Sequence, residues 1–392
     1  MKKRLPRTVI ALGFASFFTD FSSEMIYPLL PVFLTTVLGA GAISLGIIEG
    51  LAESTASLFK VVSGIWTDRA RRRMPFILAG YGLAGLVRPL IGLAGSWHTV
   101  LGLRFTDRIG KGLRTSPRDA LVADVTDPPQ RGAAFGFHRS MDHGGAVVGP
   151  LVAAALLHFN MSFRQVFLLA VVPAAVVMIV LLRGVREPAV PRNVVAGFSP
   201  RSTFGHWHEL GRDFRLLLLA VFIFTLGNST DAFLLLRLSD GGVPATWTAV
   251  LWSFHHVVKM LATYFGGRLA DVAGCRVMIF GGWLFYALIY VLFASVDSVA
   301  VLIGVFLAYG IYFGLTEPAE RTWIAQLVPA HLRGTAFGYY NSAVGIGALP
   351  ASILFGALWN AFGVHVAFAV GAAFAIVASA LLLRKWGHSH KN

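Results

Sequence analysis

The chain of 392 residues carries 33 Lys and Arg against 19 Asp and Glu, a formal net charge of +14, yet 56% of its residues are hydrophobic and only 13% charged. At a mean hydropathy of +0.69, a soluble fold of this size is excluded, because it would expose far more contiguous apolar surface than water tolerates. The lone Cys275 excludes an intramolecular disulfide and a thiolate metal site.

A helix needs about 20 residues to cross a bilayer core, and it closes its own backbone hydrogen bonds there, whereas barrel strands would show short alternating segments. Breaks at charged and Gly/Pro-rich turns predict twelve helical spans, at 8–37, 43–66, 74–95, 98–122, 133–158, 164–183, 214–238, 245–267, 276–295, 298–324, 334–359 and 364–384. The fold class is therefore an all-α membrane protein with two six-helix bundles. An amino-terminal bundle (1–183) and a carboxyl-terminal bundle (214–392) are joined by a linker (184–213) that contains Pro188, Pro191 and Pro200. The first span holds Asp20 and Glu24 and reads as a retained helix, not a cleaved signal peptide.

Along the chain, the intramembrane polar groups are concentrated in a few spans. Helix 1 has Asp20 and Glu24 one turn apart, followed by Tyr27; helix 2 has Glu49 and Glu53; helix 7 has Asn228 and Asp231 at the matching place in the second half. At 1.5 Å per residue, Asp20 falls about 18 Å from the start of its span, near mid-membrane. A carboxylate at that depth is costly unless it is paired or exchanges a proton, so these acids are candidates for proton coupling or substrate binding. Helix 4 places Asp107 and Lys111, and Arg104 and Arg108, at i,i+4, a stripe of alternating sign that suits either an ion-pair ladder or a transport role. His138, Arg139, Asp142 and His143 cluster on helix 5. His255, His256 and Lys259 lie on helix 8, and Tyr309, Tyr312, Tyr339, Tyr340 and Asn341 line the second half, where aromatic packing is the plainer reading.

Two words recur. Gly64-Ile65-Trp66-Thr67-Asp68, followed by a basic turn, returns 203 positions later as Gly267-Arg268-Leu269-Ala270-Asp271, and Arg131-Gly132-Ala133-Ala134-Phe135-Gly136 returns as Arg333-Gly334-Thr335-Ala336-Phe337-Gly338. The chain is a duplication. Lys and Arg crowd the amino terminus (Lys2, Lys3, Arg4, Arg7), the 2–3 loop (Arg69, Arg71, Arg72, Arg73) and the linker, while 38–44, 95–99, 239–245 and 360–364 have none. The positive-inside rule then predicts that both termini are cytoplasmic. The basic total is spent on topology and contact with anionic lipid, so no nucleic-acid partner is expected.

The repeated Gly-x3-Asp loop resembles the signature of the major facilitator superfamily at its second and eighth interhelical loops. The resemblance covers the whole chain and implies two bundles related by a pseudo-twofold axis, in a bacterial inner-membrane transporter without a cofactor, expected as a monomer. It also implies a cytoplasmic gate made by Gly64, Asp68, Arg72 and Arg73 with Asp124, and a second copy made by Gly267, Asp271 and Arg276. Arg71 stands where the family usually has Gly. Arg104-Phe105-x-x-Arg108-x-Gly110 is similar to the helix 4 signature of proton-coupled members, departing from it at Arg108 and Lys111. Gly136-x8-Gly145-x3-Gly149-Pro150 resembles the helix 5 signature of drug-efflux antiporters, ending in Ala153-Ala154 instead of Gly-Gly. Small residues at this spacing permit close helix approach, and the proline permits a bend.

These features imply a proton-coupled antiporter that exports a small amphipathic or cationic organic compound. A divalent metal such as nickel or iron is the alternative cargo, and it would call for convergent carboxylates and histidines such as His256 could supply. The tail His388-Ser389-His390 is too short to argue for it. A membrane sensor without flux would leave the costly acids unexplained, and no His-Glu-x-x-His, Gly-x-Ser-x-Gly or nucleotide loop suggests an enzyme.

Overall fold

The computed structural model describes residues 4–40, 42–187, 207, 209–229, 231–243 and 245–383. Twelve helical rods emerge among the described residues. They are α1 (Arg7–Glu24), α2 (Ala42–Ala70), α3 (Met74–Leu90), α4 (Trp97–Asp124), α5 (Arg131–His158), α6 (Phe163–Leu169 continuing through Ala170 into Val171–Gly184), α7 (Gly211–Gly227, resuming as Ala232–Asp240), α8 (Ala245–Ala273), α9 (Cys275–Ser295), α10 (Val299–Leu327), α11 (Arg333–Phe362) and α12 (Val364–Leu382). Eight of them, among the described residues, are long and apolar enough to cross a membrane. The five cations of α4 keep it below that apolarity, and its four arginines are buried in the protein.

Packing follows the duplication. In the first half α1 packs on α5 and α6, α2 on α4, and α3 on α4 and α6; in the second, α7 packs on α11 and α12, α8 on α10, and α9 on α10 and α12. The halves meet through α5 against α8 and α10, and through α11 against α2 and α4, which is the same contact made twice. Backbone conformation repeats as well. Six left-handed residues form three pairs 203 positions apart: Gly39 with Gly242, Arg71 with Gly274, and Asn160 with Gly363. Arg71, at φ 53°, therefore occupies the turn that Gly274 makes in the second half at φ 88°. The departure from glycine changes the cost of that turn, roughly 1–2 kcal/mol for a residue with a Cβ, and not its shape.

The first span differs from the continuous helix expected over 8–37. Regular α-helix ends at Glu24, and the chain passes through a 3-10 turn (Tyr27–Leu29) and a short α segment (Leu30–Val32) into a wide π turn (Phe33–Val37). Pro28 and Pro31 head the first two of these segments, where their missing N–H groups do least damage. The second half has its own interruption at the corresponding place, because α7 stops at Gly227 with Asn228 as its cap. Met25, the cap of α1, lies 203 positions before Asn228. Two discontinuous helices in equivalent positions are where secondary transporters build their central sites.

The seam between α5 and α8 depends on glycine. A Cβ added at Gly267 would stand 2.7 Å from the Gly136 Cα, so only bare backbones can approach this closely. Gly267→Leu is expected to cost the closed seam about 1–3 kcal/mol through overpacking. Its melting temperature should fall accordingly and transport should slow; an unchanged melting temperature and transport rate would show that the two backbones do not need this close approach.

Candidate functional site

Two latches close the end that carries the Gly-x3-Asp loops. In the first, the Asp68 carboxylate sits at the amino terminus of α11, accepting from Gly334 N (3.1 Å) and Thr335 N (2.6 Å). The unsatisfied N–H groups of a helix start make this an anion-binding place. Arg73 donates to the same carboxylate and reaches Asp124 with its Nε (3.3 Å), while Arg333 donates to the other Asp124 oxygen (2.6 Å). Asp124 thus bridges a cation from each half. Of the two arginines named for this role, Arg73 makes the pair; Arg72 is exposed, its carbonyl accepting from the Thr67 hydroxyl (3.0 Å).

In the second latch, Asp271 accepts from Gly132 N (2.7 Å) and Ala133 N (2.8 Å) at the start of α5. Arg276, grouped with this copy in the sequence, makes a contact to α12: its Nε donates to Leu382 O (2.6 Å) at the end of that helix. The reason is direction, since Arg276 lies on α9, which packs on α12. The repeated words are consequently two sides of one contact, crossed between the halves. Gly64 and Gly267 each sit one turn before their aspartate, which lets the partner backbone come within reach of the carboxylate.

Deeper along the interface, the Arg139 guanidinium grips Glu317 on α10 with two bonds, Nε to Oε2 (2.7 Å) and Nη2 to Oε1 (2.8 Å), and also donates to Asp142. Arg321 reaches across to Asp119 at 3.6 Å, and Asp119 is held by Arg118 at 2.9 Å. Glu320 accepts from the Tyr340 hydroxyl. Glu317, Glu320 and Arg321 were absent from the sequence reading. Their signal was a third repeated word, since Thr316-Glu317-Pro318-Ala319-Glu320 matches Thr115-Ser116-Pro117-Arg118-Asp119 with an offset of 201.

The helix 5 glycines divide their work. Gly136 faces α8, whereas Gly145 and Gly149 face α1 at the two acids: a Cβ at Gly145 would lie 3.1 Å from the Asp20 Cβ, and one at Gly149 2.7 Å from the Glu24 Cβ. Pro150 lies within α5 just beyond them. Both acids are half-buried, and among the described residues neither forms an ion pair or hydrogen bond. The charged groups around Asp20 are Asp142, Arg114, Lys111 and Arg88, and those around Glu24 include Lys111 and Arg108. Tyr27, exposed beyond the helix end, has the Arg104 guanidinium 5.4 Å from its ring centre.

Other candidates are placed elsewhere. Asp107 is fully enclosed, bonded to Arg88 Nε (2.7 Å) and 3.6 Å from Arg104, so it ties α3 to α4; Arg108 is buried on the same helix. Asn228 accepts from the Tyr286 hydroxyl (3.3 Å). Asp231 pairs with Lys259 (3.2 Å) and accepts from the Tyr309 hydroxyl (3.1 Å). His256 lies between the rings of His143 (5.6 Å) and Trp252 (5.0 Å). Glu49 and Glu53 lie on α2, and their side chains, like residues 188–206 of the linker and the 388–390 tail, fall outside the described residues. Among the described residues no three His, Cys, Asp or Glu side chains converge to hold a metal ion.

Two six-helix bundles that grip each other at one end and keep unpaired acids at the middle of a broken helix define a membrane transporter. The chain belongs to the Major Facilitator Superfamily, whose sequence pattern matches residues 12–255 and 238–391. It is 31% identical over 388 residues to an uncharacterized MFS-type transporter of Methanocaldococcus jannaschii, covering 97% of this chain and 95% of that protein. It is 25% identical over 344 residues to the multidrug resistance protein MdtH of Sodalis glossinidius, covering 82% and 78%. Among solved structures, the E. coli fucose:proton symporter FucP superposes with a TM-score of 0.79 at 14% identity, covering 96% of this chain and 98% of that one, which shows the shared fold.

Proposed function

We propose that the protein is a proton-coupled antiporter of the bacterial inner membrane, with both termini cytoplasmic, that exports a small amphipathic or cationic organic compound by alternating access. The observation that carries this reading is the seating of Asp20 and Glu24 on Gly145 and Gly149. An acid without a partner inside a bilayer is costly, and proton exchange is the use that explains retaining two of them one turn apart. The glycines bring α5 against α1 at these acids, which narrows any water path past them. The crossed latches supply the other requirement, an end that opens and closes as a unit. Efflux as the direction is supported by the similarity to MdtH, a multidrug resistance protein.

The test is transport in proteoliposomes under an imposed pH gradient, with dyes and divalent metals screened in parallel. Asp20→Asn and Glu24→Gln are expected to abolish gradient-driven flux while preserving exchange of substrate for substrate. Substrate-linked proton movement that survives both replacements would sink the coupling assignment. Selective transport of metals would replace the substrate class.

A further inference from the structure

The interruption of α7 places a second set of groups at the centre of the other half. Asp231 stands immediately before the resumed helix, where its carbonyl accepts from Leu234 N (3.1 Å) and Leu235 N (3.2 Å). Its carboxylate, with a quarter of the side chain exposed, receives the Lys259 ammonium on one oxygen (3.2 Å) and the Tyr309 hydroxyl on the other (3.1 Å). The ammonium also lies 3.8 Å from the centre of the Phe313 ring and 5.5 Å from that of Trp252. One carboxylate with two aromatic faces at these distances is the chemistry that recognises an organic cation. Here the cation is the protein's own.

We propose that Asp231, Tyr309, Phe313 and Trp252 form the binding site for an organic ammonium or phosphonium cation, and that Lys259 occupies it in the absence of substrate and is displaced when substrate binds. The assignment deepens the export reading above and rests on it. It separates the two tasks, with proton exchange at Asp20 and Glu24 in the first half and cation recognition at Asp231 in the second. Lysine suits the part of a leaving occupant. Its compact charge is carried on a flexible four-carbon stem, and the single carboxylate contact lacks the bidentate fit that arginine would give. Asp231, Phe313 and Trp252 are partly exposed, whereas Lys259 is buried.

The experiment is equilibrium binding of tetraphenylphosphonium to the purified full chain in lipid nanodiscs at one fixed pH, with no gradient. Lys259→Gln removes the competitor and is expected to tighten binding about tenfold, the order of one cation–aromatic or screened ion-pair contact. Lys259→Arg keeps the charge and should bind no more tightly than the wild type. The double variant Asp231→Asn/Lys259→Gln leaves no unpaired charge and should lose the whole gain. Phe313→Leu, which changes no charge, is expected to weaken wild-type binding several-fold. The proposal is overturned if Lys259→Gln leaves affinity unchanged or weaker, if the double variant keeps the gain, or if Phe313→Leu has no effect. Because no proton gradient is involved, these results are independent of the Asp20 and Glu24 test: loss of coupling there with the expected binding here would remove antiport and keep the site.

Discussion

Replacing Arg88 with Met is expected to destabilise the protein by about 3–5 kcal/mol, the cost of breaking a buried ion pair and leaving one charge behind. Asp107 has no exposed side-chain surface, and Arg88 is its close partner at 2.7 Å; Arg104 stands farther off at 3.6 Å. Arg88 also donates to the Thr19 carbonyl (2.9 Å), so the same guanidinium joins α1, α3 and α4 just below the Asp20 turn. The double variant Arg88→Met/Asp107→Leu should recover part of the loss, because the 2.7 Å pair is replaced by apolar groups while Arg104 loses the carboxylate 3.6 Å away. Thermal unfolding in detergent reads both effects. If Arg88→Met kept its stability and lost only transport, Asp107 would belong to the transport cycle after all.

Asp68→Asn is expected to weaken the first latch by about 1.5–3 kcal/mol, the range for hydrogen bonds to a charged group, which shifts the closed-to-open ratio at that end about ten- to a hundredfold. Asn keeps an acceptor for one backbone N–H but loses the charge that faces both the α11 amino terminus and Arg73. Arg73 would then depend on Asp124 alone. Turnover should fall while equilibrium binding of substrate persists, and spin labels on the two loop ends should report a longer separation. Asp271→Asn should do less, since among the described residues that carboxylate accepts from two backbone N–H groups and from no arginine. Lost binding with a normal opening cycle in Asp68→Asn would refute the latch.

Much of this architecture was legible in the residues, and the reasons are specific. A duplication leaves a constant offset, so Gly64 and Gly267, Asp68 and Asp271 and the two Arg-Gly words declared both the halves and the gate. What the offset hid was partnership, because the copies match within the sequence but bind across it. Ion-pair partners on different helices are tertiary information. Asp107 was set against its helical neighbour Lys111, yet the close contact is Arg88, nineteen residues earlier on α3. Glu317 was overlooked because it follows the uncharged run that ends at Thr316, inside the span placed at 298–324, where no neighbouring charge of its own helix had been singled out. The departure of Pro28 and Pro31 from a continuous first helix was visible as composition, whereas the break after Gly227 carries no proline to announce it.

The crossed latches have a consequence for ancestry and for robustness. Because Asp68 reaches Gly334 while Asp271 reaches Gly132, each half presents both a lock and a key, and each is used on the other half. That is the rule of an isologous contact, in which the same patch serves both partners of a symmetric homodimer. A duplicated chain with this crossed geometry is what the fusion of two self-associating copies would produce. The two latches are unequal all the same, since Asp68 has Arg73 beside it while Asp271 meets backbone N–H groups, and a single substitution disables only one of the two fastenings.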